Sequence, residues 1–172
     1  MNAQYITALP AQDLLDRLTK YLVRYQQDFY TSTFEPAGQI RNLAIVRELQ
    51  TRLKRLSDYP ELTTFFYGEA RQQPELLVNA KMKIESLTQA KEFLSFGLSL
   101  LESLPNDADS EAIKVYMISG IAAAGHKNGQ ILWPLRIALS GEEFSPGAFE
   151  CLAILGPKLS IQRVRALLEK IA

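Results

Sequence analysis

Arg136 is the residue whose surroundings ask most plainly for a chemical role. It stands alone in an apolar run, Ile131 to Leu139. An unpaired guanidinium is too costly to bury, so it must reach outward or find a partner. Its planar fork of five donors suits the acceptor atoms of a base edge or a phosphate. Downstream, Ser145-Pro146-Gly147-Ala148 has the composition of a helix start. Serine can accept from the free N–H groups of a first turn, and proline fits the first helical position. Gly147 and Ala148 leave that turn almost without side chains, so another molecule can approach the main chain. The N–H groups of such a tip favour the same acceptor atoms. A guanidinium and a bare helix tip set close together would suit unstacked nucleotides.

The other reactive side chains point away from catalysis. None are spaced as a nucleophile, a base and an orienting third group. Glu142 and Glu143 are neighbours on a polar loop and read as a solvated pair. The single histidine, His126, and the single cysteine, Cys151, cannot build a typical zinc site, so no metal is expected. One cysteine also excludes an intrachain disulfide and fits a reducing compartment. Cys151 lies on an apolar run and reads as a core thiol. The Gly120–Gly125 segment, GIAAAG, lacks the spacing of a nucleotide-binding loop.

A second basic feature lies earlier in the chain. Ile40 to Leu56 reads as one helix, with Ile40, Leu43, Ala44, Val46, Leu49, Leu53 and Leu56 on its apolar side. The other side carries Arg41, Arg47, Arg52, Lys54 and Arg55 against Glu48 alone. Such a stripe is either a solvated face or a face for phosphates and bases. Over the whole chain 19 basic and 19 acidic residues cancel. That balance argues against indiscriminate nucleic-acid binding and leaves local patches open.

The elements that must position these groups are helical by their spacing. After Pro10, Leu14, Leu15, Leu18, Tyr21, Leu22 and Tyr25 recur at threes and fours. Thr31 to Gly38 reads as a linker. Ser57 to Glu61 opens a short helix that ends at Phe65-Phe66-Tyr67-Gly68. This aromatic triplet reads as core rather than as a stacking platform for bases. After a linker at Gln72-Gln73-Pro74, Leu76 to Ile84 looks helical, and Ser86 caps a helix from Leu87 to Leu104. Pro105 to Asp109 is the clearest turn. Ser110 opens a helix that Gly125 ends, its Ala122-Ala123-Ala124 run small enough for close helix contact. Lys127-Asn128-Gly129 reads as a turn before the apolar run, and Ser140-Gly141 breaks it. The last helix, Leu159 to Ala172, buries Ile161, Val164, Leu167, Leu168 and Ile171 and turns Arg163, Arg165, Glu169 and Lys170 outward. No stretch alternates for long as a strand would. The fold class is therefore all-α, with helical subdomains at residues 1–70 and 106–172 and connecting helices at 71–105. No signal peptide and no membrane-spanning run is visible.

Two ends of the chain carry a family resemblance. Lys127 and Gly129, the run LRIALSG from Leu135 to Gly141, SPGAFE from Ser145 to Glu150, Leu155-Gly156 and an arginine-bearing last helix form one pattern. It resembles the C-terminal end of the bacterial glutamyl-tRNA synthetases, which are class I aminoacyl-tRNA synthetases. Asn2, Tyr5 and Ile6 match the N-x-x-Y-I segment by which that family leaves its catalytic and stem-contact domains. The resemblance covers nearly the whole chain, and the match is looser in the middle. The family's HIGH-type and KMSKS-type ATP motifs have no counterpart in this sequence. Met1 directly before Asn2 suggests a chain cut at a domain boundary.

The resemblance implies an α-helix cage followed by a second, anticodon-binding bundle. It implies that Arg136, with Ser145, Pro146, Gly147 and Ala148, receives the first two anticodon bases. Family members often carry a larger residue at the position of Ala148. Arg52, and after it Arg55, would face the third base. Lys127, Arg47 and Lys54 are the candidate phosphate contacts. The implied partner is tRNA(Glu), joined by tRNA(Gln) in members that do not discriminate. DNA and membranes are not expected partners, and a monomer is. The chain itself would need no cofactor. ATP and Mg2+ would serve the catalytic part, which joins glutamate to tRNA through glutamyl-adenylate in the cytoplasm. Two other readings stand beside this one. A helical protein–protein scaffold would be favoured by exposed apolar patches and is disfavoured by the basic stripe. A freestanding tRNA-binding accessory protein would keep the recognition without the enzyme.

Overall fold

The computed structural model describes residues 3–104 and 110–171, and the turn expected at Pro105 to Asp109 lies outside them. Helices and one isolated antiparallel bridge, Asn79 to Ile84, make up the regular structure of the described residues, so the all-α class holds. The chain divides into two compact units, residues 1–69 and 70–172. Segments 71–105 and 106–172 of the sequence reading fall together in the second.

The first unit contains α1 (Ala3–Ala8), α2 (Ala11–Tyr25), α3 (Gln27–Phe29), a π-helical turn (Tyr30–Phe34), α4 (Glu35–Ala37), α5 (Gln39–Leu49) and α6 (Tyr59–Tyr67). The spacing of α2 works for Leu14, Leu15, Leu18 and Leu22, all buried, whereas Tyr25 of the same pattern stands exposed at the end of the helix. The linker expected at Thr31 to Gly38 is instead helical almost throughout. Thr31 and Ser32 donate to the carbonyls of Gln27 and Asp28 at 3.1 and 2.6 Å, so these hydroxyls follow the helical path rather than open a loop. Only Gly38, at φ 80°, breaks it.

The helix expected from Ile40 to Leu56 ends at Leu49. Leu53 is still buried, but after a turn in which the Arg52 and Leu53 N–H groups both bond the Leu49 carbonyl. The apolar pattern therefore outlasts the helix. The end of α5 is also held from the side, because the Gln50 amide donates to the carbonyls of Ile6 and Leu9 at 2.8 and 2.7 Å. Ile40, assigned to the apolar side, is 89% exposed.

A polar knot ties this unit together. The Asn42 amide donates to the Phe34 carbonyl at 2.7 Å, the Tyr67 hydroxyl donates to Asn42 Oδ1 at 2.8 Å, and the Tyr59 and Tyr67 hydroxyls lie 2.6 Å apart. Phe29 and Phe34 meet the Tyr59 ring edge-on. Phe65 and Phe66 are buried, so the aromatic triplet is core as expected. Arg41 is not part of a solvent-facing stripe. It donates to the Phe66 carbonyl in the last turn of α6, where carbonyls lack intrahelical partners.

In the second unit the helix expected at Leu76 to Ile84 is replaced by two 3₁₀ turns, Pro74–Leu77 and Ala80–Met82. Asn79 Oδ1 accepts from the N–H groups of Lys81 and Met82 at 3.0 and 3.3 Å, competing with a regular helix for these donors. Helix α7 (Leu87–Glu102) follows, capped by the Ser86 hydroxyl on the Gln89 N–H, as expected. Helix α8 (Ser110–Ala123) comes next. Ala122 to Ala124 are exposed, so the alanine run faces solvent.

Helix α9 (Asn128–Ser140) begins within the expected turn, with Lys127 as its N-cap. It is the centre of the unit and packs on α7 and on α10 (Ala148–Lys170). Leu135 is admitted by Gly97 of α7, where a Cβ would lie 3.0 Å from its side chain. Inside α10 the helical course breaks at Gly156, φ 75° and ψ 164°, just before Pro157. Arg163, expected to face outward, is 5% exposed and donates to the Leu139 carbonyl. The last turn of α9 leaves carbonyls unpartnered within the helix, and this arginine supplies a donor.

Two measurements test this account. Burial, reinforced by the neighbouring phenol, pushes the Tyr59 hydroxyl well above the ordinary tyrosine value, and burial does the same to Tyr67. Both stay neutral in the fold where the unfolded chain ionises near pH 10. Stability should hold below about pH 10 and fall as the pH rises beyond it. Tyr59→Phe should flatten that fall in urea midpoints, and an unchanged slope would contradict the knot. Gly125 and Gly141 both sit at φ 72°, but a Cβ meets nothing within 4 Å at Gly125 and lies 2.7 Å from the Arg71 nitrogen at Gly141. Gly125→Ala should cost about 1 kcal/mol for the backbone alone. Gly141→Ala should cost at least ~1 kcal/mol more in urea unfolding, since the atoms it meets are main chain.

Candidate nucleic-acid interface

Helix α9 is buried along Ile131, Pro134, Leu135, Ile137, Ala138, Leu139 and Ser140. Gly129, Trp133 and Arg136 lie at spacings of four and three, so they share one partly exposed face. The segment from Gln73 to Met82 runs antiparallel along that face. At one end the Gln73 amide donates to the Gly141 carbonyl at 2.6 Å. In the middle the Trp133 indole N–H donates to the Leu76 carbonyl at 2.9 Å. At the other end Met82 lies against Gly129, where a Cβ would be 2.7 Å from the thioether sulfur.

This strap holds the Trp133 ring by its edge and leaves a face to Arg136. The guanidinium carbon lies 4.6 Å from the ring centroid, and Nη2 donates to the Glu143 carbonyl at 2.7 Å. Arg136 is half-buried and partnered, so the expectation that it reach outward or find a partner is met. The partners described are an indole face and a loop carbonyl.

The loop that supplies this carbonyl is folded back by Ser140. Its hydroxyl donates to the Arg136 carbonyl at 2.8 Å, accepts from the Glu142 N–H at 3.1 Å and stands 3.0 Å from the Ser145 hydroxyl. Arg136 and Ser145 are thus brought together, but Ser145 does not cap a helix. It is 5% exposed, and its hydroxyl donates to the Pro146 carbonyl at 3.2 Å. Pro146 is buried as well and precedes the helix instead of opening it. The helix begins at Ala148, also buried, with Gly147 as N-cap.

Nor is the tip bare. The Glu150 carboxylate lies over Gly147, where a Cβ would collide with Oε2. A negative group there complements the positive end of α10. The small residues expected to admit a foreign molecule therefore admit the chain's own carboxylate, and only Gly147 among the four is part-exposed. Cys151 is buried, as its apolar run implied.

Two neighbours escaped the sequence reading. Trp133 precedes Arg136 by one helical turn, a spacing that signals a shared face. Phe144 is 87% exposed beside Glu143, and a lone aromatic in a polar loop gives no periodic signal.

The remaining candidates are dispersed. Lys127 lies exposed at the far end of α9, about 13 Å along the axis from Arg136 at 1.5 Å per residue. The Lys83 side chain close by, through its contact and its like charge, holds the Lys127 ammonium below the ordinary lysine value. Two lysines therefore concentrate positive charge at that corner. In the first unit Arg47 is exposed in the last turn of α5, whereas Arg52, Lys54 and Arg55 lie exposed in the turns after it. Arg55 pairs with Asp58 at 3.3 Å. The expected single helical stripe is thus broken up by the early end of α5. No helix among the described residues is long and apolar enough to cross a membrane.

Comparison with known proteins adds to this geometry. The glutamate–tRNA ligase of Clostridium novyi (strain NT) is 34% identical over 172 residues, covering 99% of this chain and 34% of that protein. The glutamate–tRNA ligase of Clostridium tetani (strain Massachusetts / E88) is likewise 34% identical, over 99% of this chain and 33% of its own length. A crystal structure of a glutamate tRNA ligase from Elizabethkingia meningosepticum CCUG26117, in complex with its amino acid, matches with a TM-score of 0.73. It covers 99% of this chain and 31% of that one at 21% identity, a likeness of fold. The chain spans about a third of the length of these relatives. The family model described as an anticodon binding domain matches residues 13–168, and this chain belongs to that family.

Proposed function

We propose that this chain is the part of a glutamate–tRNA ligase that reads the anticodon of tRNA(Glu). The observation that carries the reading is the half-buried Arg136, held between an indole face and the Glu143 carbonyl inside the LRIALSG run. A guanidinium so held presents planar donors to the edge of an unstacked base. Phe144, exposed beside it, offers a ring on which a neighbouring base stacks. Ser145, Pro146, Gly147 and Ala148 act mainly by shaping the loop, and Gly147 is the point of approach to the main chain.

Arg52 and Arg55, on the other unit, are assigned to the third anticodon base, and Lys127, Arg47 and Lys54 to phosphates. All five are exposed, as such contacts require. The whole enzyme would use ATP and Mg2+ in its catalytic part, act as a monomer in the cytoplasm, and extend to tRNA(Gln) if the third-base position allows. Binding at the anticodon helps hold the acceptor end at the distant reacting centre, so it contributes to turnover as well as to affinity.

The test is a titration of the chain with an anticodon stem-loop of tRNA(Glu) at low salt. Arg136→Ala should lose about tenfold or more in affinity, the worth of a charge-assisted hydrogen bond. Unchanged affinity in a folded variant would end the reading. Phe144→Ala should cost about fivefold, within the range of one base–aromatic stack, and should leave the urea midpoint unaltered because that ring is exposed.

A further inference from the structure

We infer that Trp133 is a positioning residue for Arg136, and that its indole face sets the plane in which the guanidinium meets a base. The inference rests on the anticodon reading and goes beyond it by naming what aims the reading group. The arginine side chain has several rotatable bonds, and ordering it only on binding would weaken the complex. Here the ordering is built in beforehand. The indole lies 4.6 Å from the guanidinium carbon, within the range of a cation–π contact.

The ring cannot swing away without losing its hydrogen bond to Leu76, 2.9 Å from the indole nitrogen. Leu76 in turn belongs to a strap fastened at both ends, at Gly141 and at Gly129. A stack of this kind occupies a face of the guanidinium and leaves its N–H groups in the plane; Nε is buried, so the outer, Nη edge is the one a base can meet. The Glu143 carbonyl then fixes rotation within that plane through Nη2. Packing alone does not demand tryptophan here, because the position is only half-buried and a leucine would meet the apolar pattern of α9.

Affinity for the anticodon stem-loop should be measured for the wild-type chain, for Trp133→Leu, Trp133→Phe and Arg136→Ala, and for the double variant that combines Trp133→Leu with Arg136→Ala. Trp133→Leu should weaken binding about three- to tenfold, the range of a partly exposed cation–π contact. Trp133→Phe keeps a ring and should stay within about twofold of wild type, since a phenyl face also attracts the cation. The loss caused by Trp133→Leu should vanish in the Arg136→Ala background, as for two groups acting as one. Wild-type affinity in Trp133→Leu, or an equal loss in both backgrounds, would overturn the inference while leaving the anticodon reading intact. Wild-type affinity in Arg136→Ala would overturn both.

A second measurement does not depend on any variant folding. In the nuclear magnetic resonance spectrum of the unaltered chain, ring current from Trp133, the only tryptophan, should move the Arg136 δ-protons upfield of those of the exposed arginines. Arg136 δ-protons at ordinary positions would sink the proposal.

Discussion

A cation on a buried helix has few ways out, and α9 is buried over most of its surface. Its apolar residues face α7 and α10, so Arg136 can leave only along the line shared with Trp133 and Gly129. The cost of burying a bare charge makes that exit compulsory. What the protein adds is a landing place. The indole and the Glu143 carbonyl receive the guanidinium where it is half-buried and hold it from two sides.

The landing place exists because two irregular segments are tied to α9. The strap from Gln73 to Met82 is two short 3₁₀ turns rather than one α-helix, and Asn79 caps the second by accepting from the N–H groups of Lys81 and Met82. Its irregular course lets it follow α9 and bond it at separate points. The loop after Gly141 is folded by a single hydroxyl, Ser140, which joins the Arg136 carbonyl, the Glu142 N–H and the Ser145 hydroxyl. The LRIALSG and SPG runs are thus one structural device: a helix, its left-handed glycine end and a serine-linked return. The first unit relies on a different device, a buried chain of hydroxyls and an amide linking α5, α6 and the Phe34 turn.

Periodicity served well where a helix was both long and half-buried. Helix α2, the Ser86-capped α7 and the aromatic end of α6 came out as their spacing required. It failed where side chains competed with the backbone or where an apolar pattern outran its helix. Thr31 and Ser32 lie in a helical stretch where a linker was expected, Asn79 caps a 3₁₀ turn where an α-helix was expected, and Leu53 stayed in the core after α5 had ended. Arg163 shows the limit of reading faces from charge. A basic residue on the last helix looked solvent-bound, yet it is buried because the end of α9 needs a donor. No pattern within one helix can announce a partner contributed by another.

By itself the sequence determined the class of fold, the family, and that Arg136 must leave its apolar run or be partnered. The class follows from helical spacing, the family from the resemblance of its motifs, and the fate of the arginine from the cost of a charge in an apolar run. Tertiary structure alone decided that the Trp133 indole is tied to the Leu76 carbonyl, that Arg163 is drawn inward to the Leu139 carbonyl, and that Phe144 stands in solvent. The first two join residues 57 and 24 positions apart, and no local pattern announces which segments will meet across the fold.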